Sequence, residues 1–187
     1  MSEVRELHLP RSLLEALIAH AREVYPEEAC GLILGRGSRG TRILRGRNIA
    51  SDPRHTFLLD PDTLIAQLEW EEKGEHLLAI YHSHPQGPPY PSPVDARWAA
   101  YPDVPHLICS LRDPEHPEFA VWLLLPEEEG EEPPPPSARP VARHADFWAL
   151  HESLETGERY RLWWREGATW RYRSVRVQEV GGVTIDD

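Results

Sequence analysis

Apolar residues recur at helical spacing near the start of the chain. Between Ser12 and Val24 they repeat every three or four positions, which predicts an amphipathic first helix. Ser12 and Glu15 have the spacing of a capping box at its start. Tyr25-Pro26 ends the helix, because the residue before a proline disfavours helical backbone angles.

A second helix is predicted from Asp60-Pro61, an N-cap residue followed by proline at the first helical position, to Gly74. Its apolar residues Leu64, Ile65 and Leu68 are expected to form the inner face.

Short apolar runs bounded by glycine, proline or polar residues predict the strands. "ACGLILGR" and "TRILRGRNIA" are expected to pair as a hairpin across Gly37 to Gly40. The further predicted strands are "HTFLLD", "HLLAIYHSH", "HLICSLR" and "FAVWLLL". With a short helix over "SPVDARWAAY", this order predicts a mixed α/β sheet domain with a strand-rich end.

The composition changes after Pro126, and this change sets the predicted domain boundaries. Residues 1–126 form the core, and the acidic, proline-rich residues 127–140 form an extended loop. Residues 141–180 complete the domain with a helix over "ADFWALHESL" and an aromatic-rich β-hairpin around Glu166-Gly167. Residues 181–187 are expected to be a disordered tail.

Charge and cysteine usage narrow the possible partners and the compartment. The net charge of −11 argues against nucleic acid as the main partner, because binding phosphates needs a basic face. No apolar run is long enough to span a membrane, and no signal peptide is recognisable. Cys30 and Cys109 lie in apolar stretches and are interpreted as buried, reduced thiols of a cytoplasmic protein, although Cys30 could line a site two residues from Glu28.

The stretch "YHSHPQGPPYPSPVD" carries the candidate chemistry. His82 and His84 are two positions apart on a predicted strand, so they share one face and can converge on one metal ion. Pro85 ends the strand just beyond them. Ser92 has the features of a helix N-cap, which puts Asp95 at the third helical position. Two histidines and one aspartate would leave the fourth position of a tetrahedral Zn²⁺ ion open for water, as in a catalytic site.

The same stretch resembles the signature of the JAMM (MPN+, Mov34/PAD-1-like) metallopeptidases, which is His-X-His-Pro followed after about seven residues by Ser-X-X-Asp. "PEEACGLILG" resembles the family's upstream segment, in which Glu28 matches the functional glutamate; Glu27 is the only rival. "NIASDPRHTFLLDP" resembles a segment of prokaryotic members. The likeness runs from about Leu7 to Leu125. It implies a mixed, mostly antiparallel curved β-sheet flanked by helices, an architecture similar to that of cytidine deaminases.

The resemblance also implies the roles of the site residues. His82, His84 and Asp95 carry over as ligands of one Zn²⁺ per chain, Glu28 as general base, and Ser92 as hydrogen-bond donor to the developing oxyanion. The implied reaction is hydrolysis of the amide bond after the C-terminal Gly-Gly of a ubiquitin-like or sulfur-carrier protein.

Three alternatives remain open from the sequence. The chain could be a zinc hydrolase of small peptides, or a non-catalytic MPN scaffold or interaction module. The third alternative is a related bacterial branch, associated with DNA repair, which has a similar string of His-X-His-Pro followed by Ser-X-X-Asp. The remaining histidines considered lack ligand spacing and are expected on the surface or in loops; they are His55, His76, His106, His116, His144 and His151.

Overall fold

Strands dominate the structure, a computed structural model that describes residues 6–187. The chain divides into two compact units. The first contains the chain up to Tyr90, with Asp103–Trp122 and Val180–Asp187, and the second contains Pro91–Pro102 and Leu123–Glu179. The first five residues of the predicted core lie outside the described residues.

The first unit contains a sheet with strand order β11-β1-β3-β2-β4-β5-β6. Its strands are β1 (Leu7–Pro10), β2 (Cys30–Arg36), β3 (Arg39–Arg45), β4 (His76–His84), β5 (His106–Ser110), the first part of β6 (Glu118–Gly130) and β11 (Val183–Asp186). Its helices are α1 (Arg11–Val24) and α2 (Pro61–Glu72). Strand β2 pairs antiparallel with β3 and β4, whereas β4 and β5 are parallel.

The second unit contains the end of β6 and a sheet with strand order β6-β10-β9-β8-β7. Its elements are α3 (Pro93–Arg97), β7 (Arg139–Pro140), β8 (Phe147–Leu154), β9 (Gly157–Glu166) and β10 (Thr169–Glu179). The pairs β7–β8, β8–β9 and β9–β10 are antiparallel. Fully buried Phe147, Leu162, Trp163 and Val175 form its core. The predicted fold class, a mixed and mostly antiparallel sheet with helices, is therefore confirmed.

Helix α1 matches its predicted position, but its predicted capping box is wrong. The helix begins at Arg11, and the N-cap residue Pro10 offers no side-chain oxygen to the first N–H groups. The helix is held by its apolar stripe instead, since Leu13, Leu14, Leu17 and Ala21 are buried.

Helix α2 begins at the predicted cap, where the Asp60 carboxylate accepts the N–H of Thr63. The predicted inner face is wrong. Thr63 and Trp70, two turns apart, face the sheet, and Trp70 packs on a core cluster of Leu32, Leu34 and Ile80. The residues expected inside are exposed by 40–58% of their surface; they are Leu64, Ile65 and Leu68.

The helix predicted over Ala145 to Leu154 is also wrong, because Phe147–Leu154 forms β8. The pairing of β8 with β9, from Phe147 opposite Trp164 to Leu154 opposite Gly157, overrides the local helix propensity of alanine, leucine and glutamate. The adjacent hairpin turn lacks the usual Asn-Gly or Asp-Gly signal, so the sequence did not reveal it.

The two segments expected to be irregular are partly ordered. The first residues of the predicted loop, 127–130, continue β6, and Arg139–Pro140 forms β7. The tail predicted to be disordered contains β11, which pairs with β1 through the β-branched residues Val183, Thr184 and Ile185. Arg39 and Arg11 form ion pairs with Asp186 and Asp187 at its end.

Candidate metal centre

His82 and His84 lie at the end of β4, between β2 and β5. Their backbones pair with Cys30 on one side and with Ile108 and Ser110 on the other, so this end of the strand is fixed on both edges. Both side chains are buried, with 1% and 8% of their surfaces exposed. Their Nε2 atoms lie 3.1 Å apart, which agrees with the prediction that the two rings share one face and converge.

The orientation of His84 favours metal binding. Its Nδ1 lies 2.8 Å from the carbonyl oxygen of Pro88. Because a carbonyl can only accept a hydrogen bond, Nδ1 carries the proton, and Nε2 of the neutral ring presents a lone pair. The loop that supplies this carbonyl is itself fixed, since Ser110 donates to Gly87 at 2.6 Å and Trp122 donates to Pro89 at 2.9 Å.

Glu28 is the third member of the group. Its side chain is 4% exposed, and the potential ligand atoms of Glu28, His82 and His84 all lie within 4.8 Å of one another. Its rival Glu27 is half-buried and does not belong to this group. Among residues 6–187, no other histidine, cysteine, aspartate or glutamate cluster meets the same geometric requirement.

The donor set fits a divalent metal ion. In a tetrahedral site with Zn–N bonds of about 2.0–2.1 Å, two nitrogen ligands are about 3.3 Å apart, close to the 3.1 Å found here. Imidazole nitrogens are ligands that zinc and other transition metals accept. Phe57 stacks on His82 with ring centroids 4.6 Å apart and shields the site from one side.

Asn48 anchors the backbone of Glu28, and the sequence analysis did not single it out. Its Nδ2 donates to the carbonyl oxygens of Glu28 (3.0 Å), Thr56 (3.0 Å) and Pro53 (3.3 Å). Its Oδ1 accepts the N–H groups of Ala50 and Leu58. A further bond joins the N–H of Glu28 to Pro53 at 2.7 Å. The only signal in the sequence was that Asn48, the single asparagine of the chain, opens the family-like segment.

Ser92 and Asp95 belong to the second unit, where they form the predicted helix cap. Ser92 Oγ accepts the N–H of Asp95 at 3.1 Å, and Asp95 Oδ2 accepts the N–H of Ser92 at 2.8 Å. This reciprocal capping box starts α3 and fixes one carboxylate oxygen of Asp95. Within the first unit the structure brings together Glu28, His82 and His84. The roles assigned to these three residues, and to Ser92 and Asp95, stay predictions.

The cysteines match their predicted state. Cys30 and Cys109 are free and buried, and burial raises their pKa values to about 12 and about 11, so both remain neutral thiols. Among the histidines expected on the surface, His106 is an exception, because it is buried within β5.

Comparison with known families identifies the class to which this arrangement belongs. Residues 10–138 match the family described as prokaryotic homologues of the JAB domain. This match covers more than half of the chain, and the chain therefore belongs to that family. The resemblance expected from the sequence is confirmed, and the family together with the His/Glu group supports a metal site.

Several relatives have names that state an activity. A Thermus thermophilus protein named "Probable TtuB-protein conjugate cleaving protease" is 42% identical over 106 residues, which cover 54% of this chain and 68% of the relative. The "CysO-cysteine peptidase" of Mycobacterium tuberculosis is 36% identical over 57% of this chain and 74% of its own. The "Desampylase" of Haloferax volcanii is 34% identical over 56% of this chain and 80% of its own.

A solved structure supports the fold. A protein from Desulfitobacterium hafniense, determined in solution, is 35% identical and superimposes with a TM-score of 0.57, covering 63% of this chain and 83% of its own. Among the described residues, no helix is long and apolar enough to cross a membrane.

Proposed function

We propose that this chain is a zinc-dependent peptidase that hydrolyses the amide bond after the C-terminal Gly-Gly of a ubiquitin-like or sulfur-carrier protein. The observation that carries the proposal is the buried group of Glu28, His82 and His84 in a chain of the JAB family. The names of the relatives support the substrate class, because one describes a protease that cleaves TtuB-protein conjugates and another a peptidase for CysO-cysteine. A cytoplasmic location is proposed as well, which the two free cysteines support.

His82 and His84 would hold the ion through Nε2, and Asp95 is assigned as the third ligand by its place in the sequence motif. Zinc bound there would lower the pKa of a coordinated water to about 7 and polarise the scissile carbonyl. The Pro88 carbonyl keeps the Nδ1 proton on His84, so its Nε2 stays available as a ligand without a change of tautomer.

Glu28 would move the proton. Its carboxylate is buried beside the two histidines, where it can accept a proton from the attacking water and deliver it to the leaving amine. The anchors on its backbone N–H and carbonyl limit the positions that the carboxylate can reach. Such restriction favours a general base, because a displacement of about 1 Å can reduce the rate about 100-fold.

Ser92 would donate to the developing oxyanion. Its oxygen accepts the N–H of Asp95, and a hydroxyl that accepts one bond keeps its own proton to donate. Helix capping and donation to the substrate are therefore compatible in one side chain.

The exposed apolar face of the first unit favours a folded protein substrate over a small peptide. This face consists of Leu58, Leu64, Ile65 and Leu68. Leu58 directly follows Phe57 in the sequence, and Phe57 stacks on His82 of the candidate centre. A folded carrier whose tail enters the centre could cover this face, whereas a short peptide leaves it in water.

The test compares two substrates with the same cleaved bond. One is a ubiquitin-fold protein that ends in Gly-Gly, joined by an amide bond to a fluorescent group; the other is a five-residue peptide with that tail. We expect zinc-loaded protein to cleave the folded substrate with a kcat/KM at least tenfold higher. Equal values for both would favour the small-peptide hydrolase.

The mechanism is tested with Glu28→Gln. Losing the general base should lower kcat about 10²–10⁴-fold, while the zinc content stays that of the original protein because both histidines are intact. An unchanged rate would refute the mechanism. A chain that binds no zinc and cleaves neither substrate would support the non-catalytic scaffold.

A further inference from the structure

Residues of the C-terminal sheet hold both ends of the short segment that contains Ser92 and Asp95. We propose that β9 and β10 act as a brace for this segment and that Arg173 is its main positioning residue. The inference rests on the proposed function, because it assigns Arg173 an effect on the metal centre through Asp95. Arg173 and Tyr160 lie outside residues 10–138, which match the family, so the brace belongs to this chain's own C-terminal part.

Helix α3 needs support from outside its own sequence. It has only five residues, and isolated helices this short do not form stably in water. The capping box satisfies N–H groups at its start, but the carbonyl oxygens at a helix end have no partner within the helix. The position of Asp95 therefore depends on contacts that fix the other end of the segment.

Arg173 provides those contacts from β10. Its Nη1 donates to the carbonyl oxygens of Ala99 (2.8 Å), Arg97 (2.9 Å) and, at a longer distance, Ala96 (3.4 Å). A guanidinium at a helix C-terminus also interacts favourably with the negative end of the helix dipole. The two shorter bonds are charge-assisted and bind the last residue of the helix and the second residue after it, which fixes where the helix ends.

Arg173 is itself held in place. Its side chain is only 17% exposed, and Glu129 of β6 accepts from Nε at 2.9 Å and lies 2.8 Å from Nη2. Glu129 comes from the acidic segment after Pro126, so at least one acidic residue of that segment has a defined structural partner. The guanidinium is thus oriented by a carboxylate on one side while it binds carbonyls on the other.

Tyr160 of β9 holds the start of the segment. Its hydroxyl donates to the carbonyl oxygen of Pro91 at 2.8 Å, directly before Ser92. Its ring stacks on His151 with centroids 4.8 Å apart, which restricts the hydroxyl to this position.

Stacking also holds the segment through the side chain of Arg97, the last residue of α3. The guanidinium carbon of Arg97 lies 4.9 Å from the ring centre of Trp164 on β9 and 5.1 Å from that of Phe147 on β8. The segment is therefore tied to the C-terminal sheet at its start through Pro91 and at its end through both the backbone and the Arg97 side chain, all within the second unit.

The experiment replaces Arg173 and measures metal affinity as well as activity. Arg173→Met should weaken zinc binding about 10–100-fold, the usual cost of losing a residue that orients a metal ligand. Zinc affinity is measured by competition with a chromophoric chelator, and kcat and KM are measured on the Gly-Gly fusion substrate. We expect kcat to fall and KM to stay the same. Arg173→Lys should recover part of the affinity, since an ammonium group can still reach a carbonyl.

Arg171→Met is the matched control. Arg171 lies two residues away on β10 and forms ion pairs with Glu166 and Glu131, so its replacement removes the same charge and two ion pairs. We expect its zinc affinity and kcat to equal those of the original protein. The proposal is wrong if both variants lose zinc affinity, and it is also wrong if neither variant does. A lower unfolding temperature of Arg173→Met alone would not rescue it.

Two further measurements separate the possible failures. If Arg173→Met does not fold, Tyr160→Phe decides, because it removes only the hydroxyl that binds Pro91; unchanged zinc affinity in that variant refutes the brace. If the original protein binds no zinc, the proposed function fails. If it binds zinc and Arg173→Met binds equally well, only the brace is wrong.

Discussion

Replacing Asn48 with aspartate should damage both stability and activity, because one amide organises the backbone around Glu28, the proposed general base. The change keeps the size of the side chain but turns a donor group that faces three carbonyl oxygens into an acceptor. Each lost hydrogen bond costs about 0.5–1.5 kcal/mol, and each buried carbonyl left without a partner costs about 1–3 kcal/mol.

Asn48 is half-buried, and its two N–H groups serve mainly Glu28 and Thr56, so we expect a loss of about 2–4 kcal/mol in the free energy of unfolding. For a chain of this length, that loss lowers the unfolding temperature by about 5–15 °C. Because the Glu28 carbonyl loses its anchor, kcat should also fall, by about 100-fold.

The assay is thermal unfolding followed by circular dichroism, combined with cleavage of the Gly-Gly fusion at a temperature where the variant is folded. Gln178→Glu is the control, since it makes the same amide-to-carboxylate change at an exposed position and should alter neither property. If Asn48→Asp unfolds at the original temperature and keeps its original kcat, the role assigned to Asn48 is wrong.

Three further predictions follow from the buried groups. His84→Ala should lose bound zinc on dialysis, which elemental analysis would detect; retention of the ion would contradict the ligand assignment. Burial lowers the pKa of His20, whose Nδ1 lies 2.7 Å from the hydroxyl of Tyr81. The folded protein holds His20 in its neutral form and keeps its full stability above about pH 6.5. As the pH falls below this value, the unfolded chain binds a proton on His20 more readily than the folded chain does, so the free energy of unfolding decreases. Urea midpoints from pH 7.5 to 5 should fall more steeply for the original protein than for His20→Gln, and equal slopes would refute this. Cys30 and Cys109 should resist iodoacetamide at pH 8 in the folded protein and react in urea, as measured by mass spectrometry; rapid labelling of the folded chain would contradict their burial.

Part of the candidate site could be predicted from short local patterns, whereas Glu28 was matched only through the family resemblance. His82 and His84 share a face through the two-residue period of a strand, and the spacing of Ser92 and Asp95 defines a helix cap. Asn48 was missed, because its importance arises from carbonyl groups at positions 28, 53 and 56 that approach each other only after folding.

The sequence by itself determined the class of fold, the position of α1, the cap of α2 and the residue types of the proposed metal centre. The position of α1, the cap of α2 and the shared face of His82 and His84 depend on neighbours within a few positions along the chain, whereas Glu28 reaches the histidines only through the fold. Only the tertiary structure decided the face that α2 buries, the strand at 147–154 and the pairing of β11 with β1. Those outcomes depend on which distant residues become neighbours, and packing and strand pairing between distant residues outweigh local propensity.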